Sequence, residues 1–416
     1  MEMEFKNIGQ IAEVIAGQSP PSDSYNEKSE GLPFYQGKTD FGELNPTPRK
    51  WCTNPTRIAQ TNDVLMSVRA PVGPVNIANE EACIGRGIAA IRAKDAYDFN
   101  YIYFYLKNNQ ELISRYSTGS TFKSISKKDI EKINIPIPVY PEDQKRIAQV
   151  LSDCETLIGQ RKESIALLDD LLRSTFLEMF GDPISNPKKY PEKKIKDLCL
   201  KIVDCPHSTP KYQDGITDFP CIRTSEIKDG YIDWTSMRYT DVGGYAKRVA
   251  RLVPKEGDIV FAREGSVGDS AVIPKNTKLS LGQRVMLMRP DSSIVTPKFF
   301  WAMLRSDGIQ HKIQKKTIGA TVKRINIGEL KEIKCLIPPI ELQLKFFKLV
   351  ARIELTKNLY KNHLTELENL YGRLSQDAFK GELDLKKVVL RDGYTTNELP
   401  LEKAAEPQQT YGTHVT

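Results

Sequence analysis

Hydrophobic and polar positions along the chain follow two patterns, and the pair of patterns occurs twice. Up to Pro141 the apolar runs are short and broken by Gly, Pro and Asn, as in Leu32 to Tyr35, Val64 to Met66 and Ile88 to Ile91. Such runs predict short buried strands separated by turns. A helical stretch, Tyr101 to Ser117, and a closing strand, Ile133 to Pro138, complete the block. Proline suits a strand end because it cannot donate to a ladder. The character then changes. From Glu142 to Phe180 there is no proline, and Leu151, Cys154, Ile158, Ile165, Leu168, Leu172, Thr175 and Met179 fall at alternating steps of three and four. That spacing predicts a heptad seam, with Arg161 as its polar intruder. Pro141, Glu142 and Asp143 suit a helix start, and Gly181-Asp182-Pro183 a stop.

The second half repeats this order. Leu32 to Gln36 recurs as Phe219 to Arg223, and Asn62 to Arg69 as Gly257 to Arg263. Val72-Gly73 recurs as Val267-Gly268, and Ile84-Gly85 as Leu281-Gly282. Thr118 to Thr121 matches Ile318 to Thr321, and Ile137-Pro138 matches Ile337-Pro338. Phe299 to Lys315 is the second helical stretch, Ile333 to Pro338 the second closing strand. A second seam follows, of Phe346, Leu349, Ile353, Tyr360, Leu367, Leu370 and Leu374, and Gly381 stops it. The spacing between matches grows along the chain, so short insertions separate two copies of one architecture.

The expected fold class is therefore α+β, with two similar mixed α/β domains, each followed by a long helix. The expected divisions are residues 1–141, a central helix 142–180, a second domain 181–340, a distal helix 341–380 and a polar, partly disordered tail 381–416. Each helix of about 40 residues spans roughly 60 Å. Neither should be stable with its stripe exposed. Packed on each other as an antiparallel coiled coil, they would place the domains at opposite ends of a rod.

Composition narrows the function. Hydrophobic residues make up 40% of the 416 and charged residues 27%, as in ordinary globular proteins. Without a long apolar run, no membrane span and no membrane partner are expected, and Met1 to Gln10 lacks a signal-peptide core, so a cytoplasmic protein is expected. The seven cysteines are scattered, form no CxxC pair and have only four histidines to help, so buried thiols and no metal site are expected. The net charge of +7 permits a polyanionic partner.

Motifs for chemistry are missing. Gly85 to Ala90 fits G-x-G-x-x-A, but no acidic residue follows at the required distance and the next apolar run is short, so it reads as a turn entering a strand. There is no G-x-x-x-x-G-K-[ST] loop, no Asn/Asp-Pro-Pro-aromatic methyltransferase stretch, no H-E-x-x-H and no G-x-S-x-G. Asp169-Asp170 falls on the central helix, where a solvated face explains it. The chain reads as a binder, with no cofactor of its own.

Candidates for DNA contact sit at loops of both copies. Ser120, Thr121, Lys123 and Ser124 lie in one Gly-Ser-Thr loop, and Thr321, Lys323 and Arg324 in its counterpart. Hydroxyls and backbone N–H groups flanked by cations suit phosphate oxygens. Arg69, Arg86, Arg223, Arg263 and Arg284 follow or end short apolar runs, where a guanidinium could reach a base edge. Position repeated in two copies carries this reading.

The strand–Pro–helix junctions, Ile135 to Ala148 and Ile337 to Gln343, and the Gly-Ser-Thr-x-x-x-Ile stretch Gly119 to Ile125 with its partner Gly319 to Ile325, resemble the specificity subunits of Type I restriction–modification enzymes. The resemblance covers roughly residues 5 to 380. At the second junction Leu342 stands where an acidic residue is expected. The resemblance implies two target-recognition domains, each reading one half of a bipartite asymmetric double-stranded DNA target, with the helix pair setting the gap. It implies two methyltransferase subunits docked on the helices and motor–nuclease subunits beyond them. S-adenosylmethionine, ATP and Mg would be bound by those partners, leaving this chain non-catalytic. The alternatives are the recognition subunit of a related restriction–methylation system outside Type I and a coiled-coil scaffold that binds only proteins.

Overall fold

The computed structural model of the chain describes residues 1–117 and 124–391. Its contacts divide into two compact units, one formed by Met1–Lys162 with the chain from Asn362 onward, the other by Glu163–Lys361. Both boundaries fall inside long helices, so each helix gives one half to each unit.

The first unit is built on a four-stranded antiparallel sheet of β1 (Ala12–Ala16), β2 (Val64–Ser67), β3 (Val75–Ile77) and β4 (Ile88–Ala93), in spatial order β1-β4-β2-β3. On β4, Ala89 and Ile91 enter one hydrophobic core, and Ile88 and Ala90 enter another. With both faces buried, the strand reads as a continuous apolar run instead of an alternation. The larger core is closed by α1 (Phe99–Asn108), where Asp98 caps the helix by accepting from the Tyr101 N–H at 2.9 Å. The expected continuous helix over Tyr101 to Ser117 is broken. The backbone of Asn109 leaves helical geometry, and a short second helix covers Gln110–Arg115. The smaller core takes Tyr35 and Ile84, and their parallel pairing continues as Phe34 with Cys83 in a third cluster. The closing strand, Asn134–Pro138, pairs with Met3–Asn7.

The second unit repeats this frame. β5 (Cys199–Asp204), β6 (Ile259–Ala262), β7 (Ser270–Val272) and β8 (Val285–Pro290) form a sheet in the order β5-β8-β6-β7. Here Met286 and Met288 face one core, Val285 and Leu287 the other. A parallel step pairs Cys221 with Ser280 and Ile222 with Leu281. The strand Lys334–Leu336 pairs with Glu192–Lys194. One feature differs. A helix, α3 (Val242–Val249), has no helical counterpart between Tyr35 and Val64 of the first unit beyond one 3₁₀ turn. The second helical stretch is also split, into α4 (Pro297–Arg305) and Asp307–Lys315, at Ser306, whose backbone is extended.

The long helices are α2 (Pro141–Phe180) and α5 (Ile340–Lys380). Each ends at a glycine with left-handed backbone, Gly181 at φ +77° and Gly381 at φ +79°, a conformation that costs other residues a Cβ clash. In each unit the two half-helices run antiparallel. Lys162 meets Glu368 in the first unit, and Asp169 meets Lys357 while Phe180 meets Phe346 in the second.

Two seam positions are misplaced. Leu349 and Leu370 are 43% and 38% exposed, and Val350 and Tyr371 turn inward beside them. On the first long helix Phe176 and Phe180 are the deeply buried residues near the end, one place beyond Thr175 and Met179. An α-helix of 3.6 residues per turn drifts by about 20° per heptad against a strict 3.5 repeat, so a fixed seam loses the buried face within a few turns. Asp169 is also not merely solvated. It accepts from the Lys357 ammonium at 2.5 and 2.6 Å, and that ammonium's side chain is 4% exposed. All seven cysteines are free thiols, six buried and Cys199 half-buried. Burial pushes the Cys335 and Cys199 thiols up to about 12, so both stay protonated at neutral pH.

Candidate nucleic-acid interface

The helix that covers each sheet is fixed by a glutamine from the adjoining long helix. Gln144, 1% exposed, accepts the Asp98 N–H at 3.0 Å. Gln343, fully buried, accepts the Thr296 N–H at 2.8 Å and donates to the Ile294 and Pro338 carbonyls. The unusual Leu342 therefore leaves the second junction's glutamine in the same role. A buried carboxylate–guanidinium pair ties the sheet in each unit. Asp63 binds Arg92 through two hydrogen bonds, and Asp258 binds Arg289 likewise.

On these frames the ends of β2 and β6 form one corner per unit. In the first unit the Val68 N–H donates to Gly87 O at 2.9 Å, and the Ile125 N–H to Val68 O at 3.1 Å. Arg69 forms an antiparallel bridge with Ser124. Arg69, Arg86 and Ser124 are all exposed at or next to this corner. Ser120, Thr121 and Lys123 lie outside the described residues.

In the second unit the same lacing recurs. The Arg263 N–H donates to Arg284 O at 3.0 Å, and the Ile325 N–H to Arg263 O at 2.9 Å. Glu264 forms an antiparallel bridge with Arg324. This register corrects the alignment of the copies. The counterpart of Arg69 is Glu264, not Arg263, and Arg284 stands where the first unit has Gly87.

The two corners consequently differ in chemistry. Arg263 is 13% exposed, with Nε 2.9 Å from Asp204 and a terminal nitrogen 3.1 Å from Glu264. Arg284 is 55% exposed, with Nε 3.6 Å from the other Glu264 oxygen. Arg324, Lys323 and Thr321 are exposed beside it. A cleft of about 310 Å³ opens between Glu264, Arg284 and Arg324 and the turn that carries Gly319. Arg223 lies apart from this cleft, on a separate element. It is bound through Nε and a terminal nitrogen to Glu226, whose side chain is fully buried, and those hydrogen bonds raise its pKa further.

Sequence reasoning passed over Glu264, an acid among cations, and Lys247, an exposed cation on α3. Buried Arg248 anchors α3 to this surface by donating to the Pro206, Ser208 and Leu281 carbonyls. Gln283 Nε2 donates to Thr209 Oγ1 at 3.0 Å next to it. The string Asp241-Val242-Gly243-Gly244-Tyr245-Ala246-Lys247-Arg248 held a signal: an N-cap followed by cations toward the helix C-terminus.

Among the described residues there is no group of three or more His, Cys, Asp or Glu placed to hold a metal ion, and no helix long and apolar enough to cross a membrane. The model of the Type I restriction modification DNA specificity domain matches twice, over residues 1–167 and 187–369. The chain belongs to that family. Its relatives include the Type I restriction enzyme MjaIX specificity subunit of Methanocaldococcus jannaschii, 26% identical over 84% of this chain and 86% of the relative. The putative MjaX specificity subunit of the same organism is 46% identical, over only 36% of either chain. The crystal structure of the Type-I restriction-modification system S subunit from M. genitalium has the same fold, with a TM-score of 0.57 over 91% of this chain and 96% of that one, at 16% identity. The two family matches fall on the two copies read from the sequence, so each corner described above belongs to one DNA specificity domain.

Proposed function

We propose that this chain is the non-catalytic DNA-recognition subunit of a Type I restriction–modification complex. It reads a bipartite asymmetric target in double-stranded DNA, with one unit per half-site. The observation that carries this is the pair of corners: one backbone lacing, built twice, presents exposed cations in both units but with different side chains at equivalent places. A shared frame suits shared phosphate contacts, and unlike side chains suit unlike base sequences.

The helices are assigned to partners. Leu157, Leu167, Leu171 and Leu177 on the first, and Leu355 and Leu359 on the second, are about half exposed or more. Apolar surface of that kind suits docking of two methyltransferase subunits, with motor–nuclease subunits joining them. S-adenosylmethionine, ATP and Mg belong to those partners, and the chemistry they supply is adenine methylation and DNA cleavage.

The test is the salt dependence of DNA binding by the full chain with its co-purified partners. Phosphate neutralisation predicts that log K falls linearly as log salt rises, by about one unit of slope per contact. Binding that shows no such slope would overturn this account and favour a protein-only scaffold. Mapping of methylated adenine with and without the gene identifies the target: loss of one split motif is expected.

A further inference from the structure

We infer that Arg284, buttressed by Glu264, reads a guanine in the half-site contacted by the second unit; this rests on the DNA-recognition reading above. Three observations converge on it. First, Arg284 has a left-handed backbone, φ +66°, a conformation that a residue with a long side chain rarely adopts. A position of this kind is costly to keep, and such outliers cluster where function fixes a side chain's direction. Second, the guanidinium is presented outward. Its side chain is 55% exposed, and the Glu264 carboxylate approaches it at Nε. Its two terminal nitrogens make no hydrogen bond among the described residues. A carboxylate behind Nε orients the plane and leaves the outer fork for two parallel acceptors. Guanine O6 and N7 are such a pair in the major groove.

Third, the neighbouring cations are differently employed. Arg263 is held by Asp204 and Glu264 and is largely buried. Arg324 lines the cleft from the opposite hairpin, with exposed Lys323 next to it in the chain, where both suit phosphates. The first unit could not use this device. Its equivalent position is Gly87, where a Cβ would come within 2.0 Å of the Gln36 carbonyl oxygen, and Arg69 replaces the buttressing acid. Glycine in one unit and a buttressed arginine in the other make this position a determinant of the difference between half-sites.

The experiment selects a pool of randomised DNA duplexes on the full chain with its co-purified partners, and sequences what is bound. Wild type is compared with Arg284→Gly, Arg284→Lys and Glu264→Gln. The glycine variant suits the left-handed backbone, so it removes the side chain without straining the fold. Expected for Arg284→Gly is loss of preference for guanine at one position of one half, by roughly ten- to a hundredfold, with the other half unchanged. The unchanged half shows that the variant is folded. Lysine, a single point donor, should retain only part of the preference, and Glu264→Gln should weaken it at the same position. An unaltered motif in Arg284→Gly, or equal weakening on all sequences, would overturn the guanine assignment alone. A wild-type pool that enriches no split motif would overturn the recognition reading and this inference with it.

Discussion

In the first unit the helix over the sheet turns tyrosines toward the long helices, whereas in the second it turns phenylalanines. Tyr101 and Tyr105 meet Phe379 edge-on at 5.5 and 5.2 Å, and their hydroxyls donate to the carbonyls of Pro136 and Asn134 in the closing strand. Phe299 instead joins Phe176, Phe180 and Phe346, with centroids 4.6 to 5.9 Å apart. The frame beneath is the same in both: the glutamine on the long helix, the aspartate–arginine pair and the left-handed glycine. Interior chemistry has thus diverged around fixed anchors. Aromatic rings of similar volume can be exchanged if the hydroxyl finds a partner, whereas a buried glutamine or carboxylate cannot be replaced without orphaning the groups it holds.

The sharpest way to break this comparison is Phe180→Ala. Removing a fully buried ring from the four-ring cluster should cost about 3–5 kcal/mol. Chemical denaturation of the full chain, with amide exchange resolved by segment, should show the loss in the second unit. Equal loss of protection in the first unit would mean that the two cores do not stand independently.

Next come the paired variants Asp63→Ala and Asp258→Ala. Each removes a carboxylate whose side chain is at most 2% exposed and strands the guanidinium it held, and each should cost about 3 kcal/mol. Asp258 should cost the more, because Arg289 is 17% exposed against 29% for Arg92. The same denaturation measurement decides it, and a larger loss at Asp63 would contradict equivalence of the frames.

The smallest effect is one of pH. Glu332 accepts from Lys194 and Lys196, and those hydrogen bonds hold its carboxyl down at about 2. The first unit has Lys132 at this place, since Ile133 and Ile333 accept the matching N–H groups of Ile8 and Ile195. A depressed carboxyl stabilises the fold above its ordinary range and loses that contribution as pH falls from about 4.5 toward 2. Thermal unfolding followed over that window should therefore weaken the second unit more than the first. Glu332→Gln should remove the difference, and persistence of the difference in that variant would assign it to another group.

The outline of the molecule was legible in the chain itself. Runs buried on both faces, a helix stop at Gly181 and again at Gly381, and Pro141 opening a helix are local signals, set by backbone sterics and side-chain period. Two copies of them gave the duplication and the fold class. The register of that duplication at the decisive corner was not legible. Arg69 and Arg263 match as letters, yet the bridges Arg69–Ser124 and Glu264–Arg324 make Glu264 the counterpart of Arg69, because hydrogen bonds from two distant strands fix that alignment. Likewise nothing local distinguishes Asp169 from Asp170, and only the second long helix, bringing Lys357 across, makes one of them the partner of a buried ammonium. Sequence by itself determined which elements exist and that they come twice, since periodicity and turn chemistry act within a few residues. Tertiary structure alone decided which arginine is tied into the fold and which stays exposed, because that depends on which carboxylates come into reach, Asp204 for Arg263 and Glu264 for Arg284, from distant places in the chain.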